Sequence, residues 1–530
     1  MGSHGYLAIN YHGVNLRLLF AVVSSACWSS FQHGYNTGVL NAPQEIMSDW
    51  LQNDVLNGTD MTKKSTEDPK VTSVWAVAVS IYCVGGMLGG IVTGYMADRF
   101  GRKGALLINN GLVFIAAVLQ GFSKAAGSAV MLIVGRLIIG VNSGLAAGIA
   151  PMYLAEISPV SLRGSIGTVY QLVITSTILL SQVLGLSSIL GTADGWPYLL
   201  GLVAIPAAIQ YATLPLCPES PKFLLLNRGK ELHAQRALNW LRGAVAVHGE
   251  MEEMHQEAEK NKVTKKVTLR ELFSNRTLRQ PLLIAMMVMI AQQLSGINVV
   301  IFFSTDIFTK AGISKDNSQY ATLGVGAMNV VMTVVSLMLV ECAGRKTLLL
   351  TGFVGMFIST IALFVSNIYS EVSWVPYLCI VVVILFVMSF AIGPGSIPWF
   401  LVTELFNQSA RPAAASVAVT VNWTANFIVG LSFLPLTIKS PDLKRRTVVD
   451  AYDGERSNWM RYVNCARNWH EQNLIKSPDL KRRTVVDAYD GERSNWMRYV
   501  NCARNWHEQN LVAYQYQGQI YYRNKLHCTS

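Results

Sequence analysis

An all-α polytopic membrane protein is the fold class this sequence predicts, and three observations predict it. Only 14% of the 530 residues are charged while 51% are hydrophobic, and mean hydropathy is +0.33; soluble domains carry about 25% charged residues. The apolar residues gather into long runs almost free of charge, each able to cross about 30 Å of hydrocarbon at about 1.5 Å per residue. Landmarks of the first half also recur in the second at nearly constant offset. Together these exclude an ordinary soluble enzyme.

The stretch from Leu18 to Gln44 carries no formal charge. It is too long for the apolar core of a cleavable signal and lacks a short charged leader, so it reads as the first span. Runs follow near 74–96, 105–122, 128–152, 165–188 and 196–216. A polar segment from Pro218 to Gln280 interrupts them, and they resume near 282–304, 320–340, 347–368, 375–402 and 412–436. The expected plan is therefore a transmembrane bundle over 1–217, a cytoplasmic helical loop over 218–280, a five-span bundle over 281–436 and a basic tail over 437–530.

Lys and Arg fix the expected orientation. The segments after spans two, four, six, eight and ten carry Arg99, Arg102, Lys103, Arg163, twelve basic residues of the central loop, Arg345, Lys346 and Arg411, which places the N-terminus in the cytoplasm. The acidic loop after span one holds Asn57-Gly58-Thr59, a glycosylation sequon on the expected outer face. The formal charge of +11 does not imply a nucleic-acid partner. Residues 1–438 hold 27 Lys and Arg against 22 Asp and Glu, and residues 439–530 hold 16 against 10, so over half the excess lies in the tail. The eight cysteines are scattered and give no disulfide framework, metal cluster or cofactor motif.

After span two stands Asp98-Arg99-Phe100-Gly101-Arg102-Lys103, and after span eight Glu341-Cys342-Ala343-Gly344-Arg345-Lys346. Glu156 precedes Arg163 by seven residues, as Glu404 precedes Arg411. Acidic and basic residues at helix ends are commonly solvated interface. Four such groups in register instead point to a duplicated six-helix unit, the build of secondary transporters with a midplane site. The expected role of these carboxylates and arginines is a latch that pairs across the two halves and breaks as the molecule rocks.

Amides inside a membrane are costly and should face another helix or a wet cavity whose uncharged polar contents need donors and acceptors without net charge. Gln171, Gln292, Gln293, Asn298, Asn329 and Asn422 supply them. The competing role for buried amides is helix-to-helix glue at about 0.6–2 kcal/mol each, which suits Asn426 and Gln182.

Several ordered motifs resemble the facilitative sugar transporters of the major facilitator superfamily: Gly34-Tyr35-Asn36-Thr37-Gly38, Gly94 to Lys103, Pro151-Met152-Tyr153-Leu154-Ala155-Glu156, Pro218-Glu219-Ser220-Pro221-Lys222, Gln292 to Asn298, and Gly393 to Trp399. The resemblance spans about 15–436 and is nearest to the glucose-transporting branch. It implies two pseudo-symmetric six-helix halves, hexose contacts at the amides above, and Trp399 as the floor of the pocket, where a ring stacks on the apolar face of a pyranose. Ala391 stands where glucose carriers have an acid, Phe302 and Phe303 where many have tyrosines, Cys342 for an arginine and Lys222 for an arginine. Proton-driven relatives carry an Asp where this chain has Asn36, and span one holds no carboxylate, so the expected activity is uniport of hexose, D-glucose first, with the lipid bilayer as the other partner. The alternative is a non-transporting membrane sensor or scaffold.

The family's twelfth span and closing Pro-Glu-Thr-Lys-Gly do not occur. Residues 438–474 instead recur without change as 475–511, which points to a very recent duplication or an error of assembly. This tail resembles a duplicated fragment of a PR/SET domain, the fold of chromatin lysine methyltransferases. The part of that fold that completes the cofactor and lysine channel is absent, so no methyltransferase activity is expected.

Overall fold

The computed structural model describes residues 15–56, 65–159, 162–243, 247–263, 267–368, 374–406, 410–439, 511–516 and 519–524. Asn57 and most of the duplicated tail lie outside the described residues. The chain divides into two compact units, Met1–Pro435 and Leu436–Ser530.

Every span expected in the first unit is helical. Among the described residues seven helices are long and apolar enough to cross a membrane, and one of them, Pro69–Phe122, holds spans two and three. It starts on an Asp68 N-cap with Pro at its first turn. It breaks at Gly101, whose φ of 79° suits only glycine without strain. A Cβ there would also meet the Glu219 carboxylate and approach the Phe223 ring to 2.8 Å.

The other spans depart from a simple apolar rod for local reasons. Span one is Leu16–Val22, a π-helical turn Val23–Cys27 and Trp28–Gly38. The Asn15 side chain caps it by accepting from Leu18 N at 2.8 Å. Span five is Arg163–Leu184, apolar only over Val169–Leu184. Span eight, Lys315–Ala343, is built inside out: Ser318, Thr322, Asn329, Thr333 and Ser336 are buried, while Tyr320, Val331, Val334 and Met338 are exposed. Its polar face lowers its hydropathy, and its apolar face suits lipid.

Spans two and four approach at glycines. A Cβ on Gly144 would overlap the Gly86 carbonyl, and one on Gly140 the Tyr82 carbonyl. Close approach through small residues is how membrane helices gain packing without a hydrophobic driving force between them. Gly144→Val is therefore expected to cost about 1–3 kcal/mol or more by overpacking, read as loss of surface-delivered protein and a lower Tm in detergent.

The central loop docks on one end of the N-terminal bundle. Helix Glu231–Arg242 meets span one through Asn15 Nδ2 to Leu241 O at 2.7 Å. It meets span four through Arg242 Nη1 to Ile157 O at 2.8 Å. Helix Leu269–Ser274 then opens on a Thr268/Glu271 capping box and leads into span seven.

The cross-bundle hydrogen bonds among the described residues gather at the middle and at the end away from this loop. Asn41 Nδ2 donates to Ile301 O and Ser304 Oγ, both at 2.7 Å, and Asn41 Oδ1 accepts from Thr305 N at 3.3 Å. These partners surround Phe303, where span seven leaves helical geometry (φ −134°, ψ 17°). One amide thus satisfies backbone freed by the break, as hydrocarbon requires. Ser187 N and Oγ reach Gln319 Oε1 at 3.2 and 3.0 Å.

In the second unit Leu511–Tyr516 and Gln519–Asn524 form an antiparallel hairpin, with Tyr514 opposite Tyr521.

Candidate functional site

Two interruptions create the central polar cluster. Span seven stops at Gly296, whose φ of 88° ends Arg276–Leu294 before Ile297–Lys310 begins. Span ten stops at Gly393-Pro394-Gly395, between Val375–Ile392 and Ile397–Leu405. The second break leaves carbonyls without helical partners, and Gln292 takes them: its Nε2 donates to Pro394 O at 2.6 Å and Gly395 O at 3.1 Å. Its Oε1 accepts from Asn422 Nδ2 at 2.7 Å and Gln293 Nε2 at 3.4 Å. With two donors and two acceptor sites filled, Gln292 is saturated.

Gln293 is the hub. Its Nε2 donates to Asn422 Oδ1 at 3.0 Å, and its Oε1 accepts from Asn298 Nδ2. Gln292, Gln293, Asn298 and Asn422 are all buried, so four of the amides singled out by sequence form one network. Gln171 and Asn329 do not join it; among the described residues only their backbone carbonyls are seen to accept hydrogen bonds. Trp399 is half-buried on the apolar cluster that contains Met289 and Ala418. Met289 Sδ accepts from Asn422 Nδ2 at 3.4 Å, so the aromatic and amide parts adjoin.

The charged groups cluster at the loop end. Arg102 Nη2 and Nε meet Glu156 Oε1 at 2.8 and 3.1 Å, joining spans three and four. Arg345 Nη2 meets Glu404 Oε1 at 3.1 Å, joining spans nine and ten. The sequence suggests pairing across the bundles, but in this conformation each pair stays within one bundle. The turn at Gly101 brings Arg102 under the end of span four, which explains the first. Asp98 Oδ1 accepts from Asn227 Nδ2 at 3.3 Å. Arg163, Glu341 and Arg411 stand on described helices, but their side chains lie outside the described residues.

Sequence reasoning missed three contributors. Glu219 accepts from the backbone N–H groups of Arg102 and Lys103 at 3.0 and 3.1 Å, filling the positive start of span three. Ser220 Oγ donates to Glu156 Oε2. The Pro-Glu-Ser-Pro motif was visible, but not what it would hold. Arg136, the lone charge in the apolar run 128–152, is 1% exposed. Its Nη1 donates to Asn36 O at 3.0 Å, and its guanidinium lies 4.7 Å from the Tyr82 ring centre. The signal for it was a charge inside an apolar run.

Comparisons agree with this geometry. The family model "Sugar (and other) transporter" matches residues 22–448. The PR domain of PR domain zinc finger protein 2 matches 432–479 and again 476–526. Facilitated glucose transporter member 1 of solute carrier family 2 from Gallus gallus is 47% identical over 418 residues, 79% of this chain and 84% of its own. Member 3 from Canis lupus familiaris is 47% identical over 424 residues, with the same two shares. Among solved structures, the xylose transporter XylE from E. coli in a partially occluded inward open conformation superposes with TM-score 0.66 at 26% identity, covering 80% of this chain and 92% of that one. The proton:xylose symporter XylE bound to 6-bromo-6-deoxy-D-glucose gives TM-score 0.66 at 27% identity, covering 81% and 90%. Matched by a transporter model along most of its length and by relatives at 47% identity, the chain belongs to the sugar transporter family of the major facilitator superfamily.

Proposed function

We propose that this protein is a facilitative hexose uniporter, with D-glucose as its substrate, working by alternating access and performing no enzymatic chemistry. The observation that carries this reading is the 47% identity to facilitated glucose transporters over four-fifths of the chain. The amide cluster supports it, because an uncharged polyol asks for neutral donors and acceptors. Arg136 supports uniport in particular. Its partner on span one is the backbone carbonyl of Asn36, and the span carries no titratable carboxylate to take up and release a proton.

The sugar contacts we propose are Gln171, Gln292, Gln293, Asn298, Asn329, Asn422 and Trp399. The gating set is Asp98, Arg102, Glu156, Arg163, Glu341, Arg345, Glu404 and Arg411. The protein resides in the plasma membrane with its N-terminus and the 218–280 loop in the cytoplasm and Asn57 glycosylated outside. In that orientation the Asn41 and Ser187 contacts lie at the outer end and hold it closed.

Asn41→Leu removes three hydrogen bonds worth about 0.5–1.5 kcal/mol each from the outer closure. It is expected to favour the outward-facing state, so that an impermeant competitor added outside binds about tenfold more tightly. Unchanged outside affinity would remove Asn41 from the gate.

The test of the function is labelled D-glucose uptake in cells lacking hexose transporters, with surface protein measured alongside and a protonophore as the second arm. Saturable uptake insensitive to the protonophore is the expected result. Uptake that collapses with the proton gradient refutes uniport, and none despite surface arrival favours the sensor or scaffold.

A further inference from the structure

Helix Glu231–Arg242 of the central loop and the start of span one enclose a groove of about 460 Å³ on the surface of the bundle, lined by Leu16, Arg17, Leu19, Phe20, Val23 and Trp240. Phe20 and Trp240 form its back, half-buried against the apolar cluster that holds Leu18 and Leu241. Leu16, Leu19 and Val23 are exposed along one side of span one, a stripe about 10 Å long at 1.5 Å per residue. None of the roles above uses these residues.

An apolar stripe on a membrane helix by itself suits any acyl chain, and what singles this one out is its charge. Arg17 is exposed among the leucines and has no ion-pair or hydrogen-bond partner among the described residues. A guanidinium at the edge of hydrocarbon is costly unless its head reaches water or an anion. Leu232 and Arg236, both exposed, precede Trp240 by eight and four residues and so share its helix face. The one acid of that helix, Glu231, is engaged elsewhere, 3.3 Å from His255 Nε2, and no carboxylate lines the groove. An indole beside two arginines, with aliphatic side chains running away from them, matches the boundary where lipid phosphates meet hydrocarbon.

We propose that this groove seats one anionic glycerophospholipid of the cytoplasmic leaflet. Arg17 and Arg236 hold its headgroup, and one acyl chain runs along Leu16, Leu19 and Val23 with Phe20 and Trp240 behind it. The lipid braces the joint already made by Asn15 Nδ2 and Leu241 O, tying the loop helix to span one. The leaflet follows from the orientation proposed above, whereas the seat does not depend on transport.

The experiment takes the purified full chain, delipidated in neutral detergent, titrates it with phosphatidylglycerol or with phosphatidylcholine, and counts bound lipid per chain by native mass spectrometry. One saturable site is expected for phosphatidylglycerol, with about fivefold weaker binding of phosphatidylcholine. Arg17→Gln should weaken phosphatidylglycerol binding about fivefold, and Arg17→Gln combined with Arg236→Gln about 25-fold, the factor that each cation supplies at an anionic membrane surface. Arg17→Lys should keep most of the affinity, and Lys124→Gln, in the loop after span three, should keep all of it. The Tm of each variant without added lipid verifies that it is folded. Equal affinity of Arg17→Gln and wild type, or of the two lipids, overturns the assignment and leaves a face wetted by annular lipid only. Protease cleavage of the 218–280 loop from outside intact cells would overturn the cytoplasmic leaflet, a result distinct from loss of the seat.

Discussion

Gln293→Leu is expected to lower D-glucose uptake per surface molecule by about 100-fold or more at subsaturating sugar. Gln293 donates to Asn422 and accepts from Asn298, so its removal strands two buried amides at about 1–3 kcal/mol each and deletes a ligand contact. In the sugar-free protein these amides satisfy one another, and entering hydroxyls exchange partners with them instead of meeting bare polar groups. That exchange keeps affinity moderate, which suits a carrier that must release what it binds. The expected signature is a raised KM with protein still at the surface. A variant with unchanged KM would confine Gln293 to holding spans seven and eleven together.

Arg102→Ala should act on motion and leave the pocket largely intact. Arg102 and Glu156 keep only 11% and 14% side-chain exposure, and breaking a buried pair by removing one partner costs about 3–5 kcal/mol. Ser220 also donates to Glu156, and Glu219 grips the backbone of the same turn. The substitution therefore loosens a joint where spans two, three and four meet the chain leaving span six. A change of that size can move a two-state equilibrium by 100-fold or more. The expected result is a maximal rate at least about tenfold lower, sugar-displaceable binding within about threefold of wild type, and altered sidedness of inhibitor binding. Arg102→Lys should restore part of the rate. Equal transport with unchanged sidedness would show that the pair is static.

Much of this architecture was legible in the sequence, because lipid constrains helices severely: charge-free runs of sufficient length have few other uses. Span eight, expected near 320–340 and found as Lys315–Ala343, is a span where that signal is weaker, since its inward face is a ladder of Ser, Thr and Asn. The amide set was legible for the same reason, four of its members meeting as one network. What stayed hidden depends on geometry. No periodicity foretells that Gln292 saturates the carbonyls of the break at Pro394. Nor could sequence show that Arg102 folds back within its own bundle, because pairing across and pairing within use the same residues.

The most direct test of the central claim uses the purified full chain in liposomes with no ion gradient, following labelled D-glucose entry and its acceleration by unlabelled D-glucose inside. Uniport predicts saturable entry that ends at equal concentrations, is accelerated by trans sugar and excludes L-glucose. Entry that requires or exceeds an imposed proton gradient, or no stereospecific entry at all, would contradict it.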